Sequence, residues 1–373
     1  MTKAELIAKT EGKLRSHLMK LNPGIVSFIY SSGRKYFINI LAKETPIKEY
    51  IPPQEKQRIC WNLKFNCPLF NAAGMFKNGE AYHTVAAQGA GAYLAGTTTS
   101  GLRSGNIKSG IRHPFMPYPA SGAASNWMGL PNQGHAIVAK RLSSINKKEG
   151  CPVGISVSIN PEANPKEGLN DLMEGLFLYE KANVDFIELN ESCPNVIHEH
   201  GINDENGLDK NLVQRLETIS ELFLRKRKRN LPVLLKLSND TNVELLPKLL
   251  DIMLDLSYDG FNLGNTSTDY LYFRDCIDET DRKNYDFFID RFGGGLSGRL
   301  LKERSLELSS VAAKYLTNKY INREFHIIRT GGIENAEDVL YSDNSGVSLN
   351  QWFTGYFEGF ARFGHLLYKK IYS

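Results

Sequence analysis

The sequence predicts an α/β fold, a (β/α)8 barrel of the TIM type with a small N-terminal helical extension. Two patterns carry this expectation. Eight short apolar runs recur from residue 69 onward, at 69–73, 92–97, 153–157, 186–190, 233–237, 261–263, 326–330 and 347–351. Between most of them lie amphipathic stretches such as 212–224, 244–256 and 306–316. Short apolar runs alternating with helical ones mark a parallel sheet covered by helices, and eight such units favour a closed barrel over an open sheet. A chain of 373 residues has room for one such barrel and an appendage.

Residues 1–45 read as the extension and 46–373 as the barrel. Leu6, Ile7, Leu14 and Leu18 recur at helical spacing, Asn22-Pro23-Gly24 interrupts, and Ile25, Phe28, Ile29, Phe37, Ile40 and Leu41 resume the pattern. Phe28, Tyr30, Tyr36 and Phe37 make the second helix aromatic for a surface element. They suit either a mouth for a greasy partner or a hairpin packed against the barrel. Residues 45–53, with three prolines, form the linker.

Composition bounds the function. A formal net charge of +4 is too small for a chain this size to imply nucleic acid, and the basic run 225–229 (RKRKR) sits where a helix should end in solvent. The five cysteines form no CxxC pair, which points to a reducing compartment, and no metal-ligating constellation is expected. No run of 18 apolar residues occurs, and the N-terminus lacks the features of a signal peptide. The expectation is a cytoplasmic protein whose helices allow peripheral contact with the inner face of a membrane.

The chemistry concentrates where strands should end. In 188–196 (ELNESCPNV) an apolar run gives way to a loop at Pro194, placing Cys193 between Asn190 and Asn195. A thiol that gives or takes one proton, beside two carboxamides, suits a flat ligand rich in amides. TGGI at 330–333 and WFTG at 352–355 follow the last two strands, and GGGLSG precedes them at 293–298. Glycine turns at those places build the N–H nest in which a barrel holds phosphate. No GxGxxG opens a strand–helix unit, so a mononucleotide such as FMN fits better than a dinucleotide. Lys236 lies within a strand, where an ammonium is costly unless it meets an anion or polar ligand. Lys77 (in NAAGMFKNGE) and Asn126, Asn265 and Thr266 fall just after strands or in two long connections, 98–151 and 266–297.

These motifs, NAAGMFKNGE, NWMGLPN, ELNESCPN, LLKLSND, GNTST, GGGLSGR, RTGGI and QWFTG, stand in one order from Asn66 to the end. In them the chain resembles the dihydroorotate dehydrogenases, FMN enzymes of pyrimidine synthesis. The resemblance implies FMN at the barrel's C-terminal mouth, and loss of a proton and a hydride from neighbouring ring carbons of dihydroorotate. Ala73, Gly74, Thr97, Asn190, Lys236, Gly264, Gly298, Gly332, Phe353 and Thr354 match the family's FMN contacts, and Ser156 stands where one branch has an FMN-binding asparagine. Lys77, Asn126, Asn190, Asn195, Asn265 and Thr266 match its orotate contacts, together with Met128, Gly129 and Leu130 of the NWMGLPN loop. Cys193 matches its base.

Two branches are mixed. Soluble class 1 enzymes have a cysteine base and an orotate-binding lysine at the position of Gly96. Quinone-using class 2 enzymes have a serine base, the lysine at the position of Lys77, and a helical extension. Arg329 replaces a usual glycine. Quinone is the expected acceptor. The rival readings are an FMN oxidoreductase acting on another cyclic amide or dihydropyrimidine, and a non-catalytic barrel binding a phosphate metabolite. Lys77 argues against a neutral cyclic amide, which would leave its charge unpaired.

Overall fold

The computed structural model describes residues 1–191, 209–319 and 321–372. All eight expected strands form: β1 Leu69–Asn71, β2 Tyr93–Thr98, β3 Val153–Val157, β4 Phe186–Asn190, β5 Val233–Leu237, β6 Gly260–Leu263, β7 His326–Thr330 and β8 Leu349–Trp352. They make one parallel sheet in which each strand lies beside its neighbours in sequence, β8 pairing with β1. Just past β1 the Gly74 N–H donates to Gly96 O at 2.7 Å, and Phe76 bridges to Ala95, which draws β1 and β2 together and closes the barrel.

Side chains fill the barrel in layers, as alternate residues of each strand point inward. The lower layer is apolar and includes Phe70, Leu94, Phe186, Leu234, Ile328 and Leu349, all fully buried. A hairpin absent from the sequence reading, Arg58–Cys60 with Leu63–Phe65, plugs this end with Trp61 and Phe65. Its two turn residues, Trp61 and Asn62, have φ of 54° and 61°, the left-handed pair that a tight two-residue hairpin needs. Above the apolar layer lies a polar one holding Glu188, Lys236, Asn262 and Gln351, each at most 2% exposed.

The two long connections are ordered. Strand Ala123–Asn126 of the first pairs antiparallel with Phe115–Tyr118 on one side and with Gly295–Gly298 of the second on the other. This small sheet carries Asn126 to the barrel mouth. Its strands escape a sequence reading because they are only four residues long, and prolines at 114, 117 and 119 break their alternation.

The extension is a helical hairpin. Helix α1 (Lys3–Leu18) starts from a Thr2–Glu5 capping box, and α2 (Pro23–Leu41) starts from the Asn22 cap with Pro23 in its first turn, so the Asn-Pro-Gly break is a helix start. Phe37 meets Phe357 and Phe360 edge-on, with centroids 6.2 and 5.6 Å apart. The four aromatics divide: Phe37 and Tyr30 turn toward the barrel, whereas Phe28 and Tyr36 are 55% and 56% exposed. The basic run is less solvated than expected. Arg227 pairs with Asp259 at 2.6 Å, and Arg229 donates to the Glu180 and Val184 carbonyls, so these two cations tie the helix end to the barrel.

Candidate active site

A cleft of roughly 930 Å³, part of it open to solvent, lies at the C-terminal ends of the strands. Its walls bring together Ala73, Gly74, Lys77, Thr97, Asn126, Met128, Leu130, Asn190, Lys236, Asn265, Thr266, Gly298, Gly332, Phe353 and Thr354, residues spread over some 280 positions of chain. Cys193 and Asn195 lie outside the described residues. Three expected residues stand behind the wall. Ser156 is buried on β3, and its hydroxyl lies 2.9 Å from that of Thr97. A serine is too short to pass Thr97, so it buttresses the wall. Gly129 and Gly264 take φ of 68° and 114° and turn the backbone beside Leu130 and Asn265.

One end of the cleft is built for an anion. Gly331 and Gly332 follow β7 with φ of 128° and 73°, and a Cβ on Gly332 would come within 2.4 Å of Lys302 Cα. Only glycine fits there. Beside them helix α3 (Thr354–Phe363) begins with no side-chain cap, and Thr354 and Gly355 line the cleft. Uncapped N–H groups at a helix start, next to a glycine turn, form an anion cradle. Ser297, Thr330 and Gln351 also line the cleft. They fall within the GGGLSG, TGGI and QWFTG motifs, but the sequence gives none of the three a contact of its own, since nothing local distinguishes a strand-end hydroxyl or carboxamide from a turn residue.

The other end is lined by carboxamides and one ammonium. Asn190 Nδ2 donates to Thr97 Oγ1 at 3.0 Å, and Asn265 Nδ2 donates to Asn190 Oδ1 at 3.4 Å, so the three side chains hold one another in place. Lys77 follows β1 on the same rim. Gly96 explains why an anion-binding lysine is not on β2: at φ +97°, a Cβ there would sit 2.3 Å from Ser156 O, so this backbone admits no side chain. Lys236 Nζ reaches into the cleft from below, 3.3 Å from Gln351 Oε1.

Arg329, the other departure, points away from the barrel axis. Its guanidinium donates to Ser305 Oγ at 2.9 Å, Ser342 Oγ at 3.0 Å and Lys302 O at 2.8 Å, tying two outer helices to the strand that leads into the glycine turn. Burial pushes its pKa down to about 10, still cationic at neutral pH.

A second cleft of roughly 990 Å³ lies under the helical hairpin. Ile7, Leu18, Ile29, Phe37, Phe115, Pro117, Phe357 and Ala361 make it largely apolar. Phe353 and Thr354 line both clefts. Arg34 of α2 spans the partition, donating to Gly74 O at 2.8 Å with its guanidinium 5.6 Å from the centre of the Phe353 ring.

A profile of the family "Dihydroorotate dehydrogenase" matches residues 56–371. A "Dihydroorotate dehydrogenase (quinone)" from a Nitratiruptor species is 28% identical over 334 residues, 89% of this chain and 84% of the relative. One of the same description from Christiangramia forsetii is 28% identical over 352 residues, 93% and 94% of the two chains. Among solved structures, DHODH from Eimeria tenella in complex with ferulenol superposes with a TM-score of 0.74 at 21% identity, covering 91% of this chain and 89% of that one. That likeness speaks for the barrel. The profile spans the plug hairpin, every barrel strand and the anion cradle, and on it this chain belongs to the dihydroorotate dehydrogenase family.

Proposed function

We propose that the protein oxidises dihydroorotate to orotate with FMN bound in the first cleft, and that a quinone entering the second cleft receives the electrons. The observation that carries this reading is the first cleft itself, an anion cradle at one end and a carboxamide-lined rim with Lys77 at the other. FMN fits the residues present: the Gly332 turn and the start of α3 would hold its phosphate, and Lys236 and Asn190 its ring. When bound, FMN accepts a hydride from carbon and passes the electron pair on to the acceptor.

Each residue of the chain then has a task. Lys77 holds the substrate carboxylate by a charge-assisted contact, and Asn126, Asn190, Asn265 and Thr266 read the ring amides. Asn195 completes this set and Cys193 takes the C5 proton, two roles that rest on the sequence motif. Fixing C6 toward the flavin while a base addresses C5 turns the reaction into positioned proton and hydride removal. Lys236, on the floor of the cleft, would place a positive charge beneath a bound flavin ring.

The second cleft supports the quinone assignment, since its apolar wall suits a lipid-soluble acceptor and it shares Phe353 and Thr354 with the first. Ile25, Phe28 and Tyr36, each more than half exposed on α2, are the contact with a membrane surface. No helix among the described residues is long and apolar enough to cross a membrane.

Turnover of dihydroorotate with a quinone, fumarate, NAD and oxygen in parallel tests the reading. A yellow protein that releases FMN on denaturation and is fastest with quinone is expected. A protein without flavin, or one active with fumarate alone, contradicts it.

A further inference from the structure

The polar layer inside the barrel contains an acidic group that the mechanism above does not use. Glu188 is fully buried on β4, one layer beneath the cleft. Asn262 Nδ2 and Gln351 Nε2 donate to its Oε2 at 2.6 and 2.8 Å. Its Oε1 faces Lys236 Nζ at 3.4 Å. Thr330 Oγ1 donates to Asn262 Oδ1 at 2.7 Å, and Lys236 Nζ to Gln351 Oε1, which fixes both amides with their NH2 groups toward Glu188. A carboxyl surrounded by two N–H donors and an ammonium acts only as an acceptor, the state of an ionised carboxylate. The chain therefore places a cation on the floor of the cleft and an anion directly behind it.

We infer that Glu188 sets the reduction potential of the bound flavin by opposing Lys236 from beneath, an inference that rests on the flavin reading of the cleft. In this dry layer, fields are weakly screened and the two charges act on the ring above with opposite sign. Lys236 alone would strongly favour the reduced, negatively charged ring. Glu188 partly cancels that pull and also holds the ammonium in place. The reduced flavin thus remains a good electron donor, as it must to pass electrons onward after taking a hydride. Glu188 is a positioning residue in this scheme, acting through Lys236 and through its field.

The test uses full-length protein and reads the flavin directly. In Glu188→Gln, the ratio of reduced to oxidised FMN at a fixed potential should rise at least about tenfold, which is about 30 mV in a two-electron midpoint. Affinity for sulfite, which adds to flavin N5 and leaves a negative ring, should rise in parallel. Retained FMN with an unchanged or lower potential overturns the inference. If the single variant fails to fold, the pair Lys236→Gln and Glu188→Gln/Lys236→Gln decides: Lys236→Gln leaves Glu188 without its cation but still held by its two amide donors, and the double variant leaves no unpaired buried charge. Lys236→Gln should lower the potential below wild type, and adding Glu188→Gln should raise it again. Equal potentials in that pair mean that Glu188 exerts no field on the ring. If Lys236→Gln itself leaves the potential unmoved, the flavin reading of the cleft fails, and this inference with it.

Discussion

Lys77 and Gly96 show how single positions divide the work of the rim. Because β2 approaches β3 too closely for a side chain at 96, the proposed function needs a carboxylate partner from elsewhere on the rim and gives that role to Lys77, which lines the cleft. Lys77→Ala should weaken orotate binding by about 1.5–3 kcal/mol, roughly one to two decades, while FMN content stays the same. Spectral titration of the bound flavin with orotate measures this, and unchanged affinity would remove Lys77 from the role. Cys193→Ala should retain FMN and orotate but slow flavin reduction by about 100-fold to 10,000-fold, the usual worth of a positioned base. Near-normal reduction in that variant would leave Cys193 without a catalytic task. At this scale the sequence was most legible where a residue type is costly out of context. A lysine in a buried strand and paired glycines after strands announce themselves. Ser297, Thr330 and Gln351 do not, because their importance comes only from strands that meet in space.

The helical hairpin and the barrel strands differ in how far they can be read without a structure. Each barrel strand has its own run of apolar residues, so all eight were visible. The plug hairpin at 58–65 was not, since it is two three-residue strands whose apolar members face a barrel floor formed by distant segments. The break at 22–24 was visible, but which aromatic side chains turn inward depends on how α2 rolls against helix α3. That docking is partly ionic. Arg15 of α1 forms pairs at 2.6 Å with Glu11 and with Glu358 of α3, and Tyr30 of α2 donates to Glu11 at 2.7 Å, so one cluster joins all three helices beside the second cleft. Arg15→Ala would leave the two carboxylates facing each other without their cation. Since the cluster is partly exposed, a loss of about 1–2 kcal/mol is expected. Faster proteolysis within the hairpin and a higher KM for quinone, with flavin reduction unaltered, are the accompanying signs. Unchanged proteolysis and KM would mean that apolar packing alone seats the hairpin.

For the whole molecule, the barrel wall carries a built-in dependence on acid. His135 is 2% exposed behind β2, its Nδ1 3.0 Å from Thr98 Oγ1, and burial pushes its pKa from 6.5 to about 4. The unfolded chain then binds a proton that the folded chain refuses, so stability is full above about pH 6.5 and declines as pH falls toward 4. Over that window the loss amounts to about 3 kcal/mol. Denaturant titrations at pH 7.5 and 4.5 should show it, and His135→Gln should flatten the difference; an equal difference in both proteins would assign the acid sensitivity elsewhere.

The two clefts make the central claim, that substrate oxidation and acceptor reduction occur on opposite sides of one wall, directly measurable. Gly33 of α2 lines the second cleft, and a Cβ built on it meets nothing within 4 Å, so Gly33→Trp can fill that space without straining the backbone. The decisive measurement is rapid mixing of each half-reaction, anaerobically, in wild-type protein and Gly33→Trp. Flavin reduction by dihydroorotate should agree within about twofold, whereas reoxidation by a quinone should slow by at least about tenfold, a barrier increase of about 1.4 kcal/mol. Reoxidation by quinone at the wild-type rate, or equal slowing of both half-reactions, would contradict the separation of the two sites.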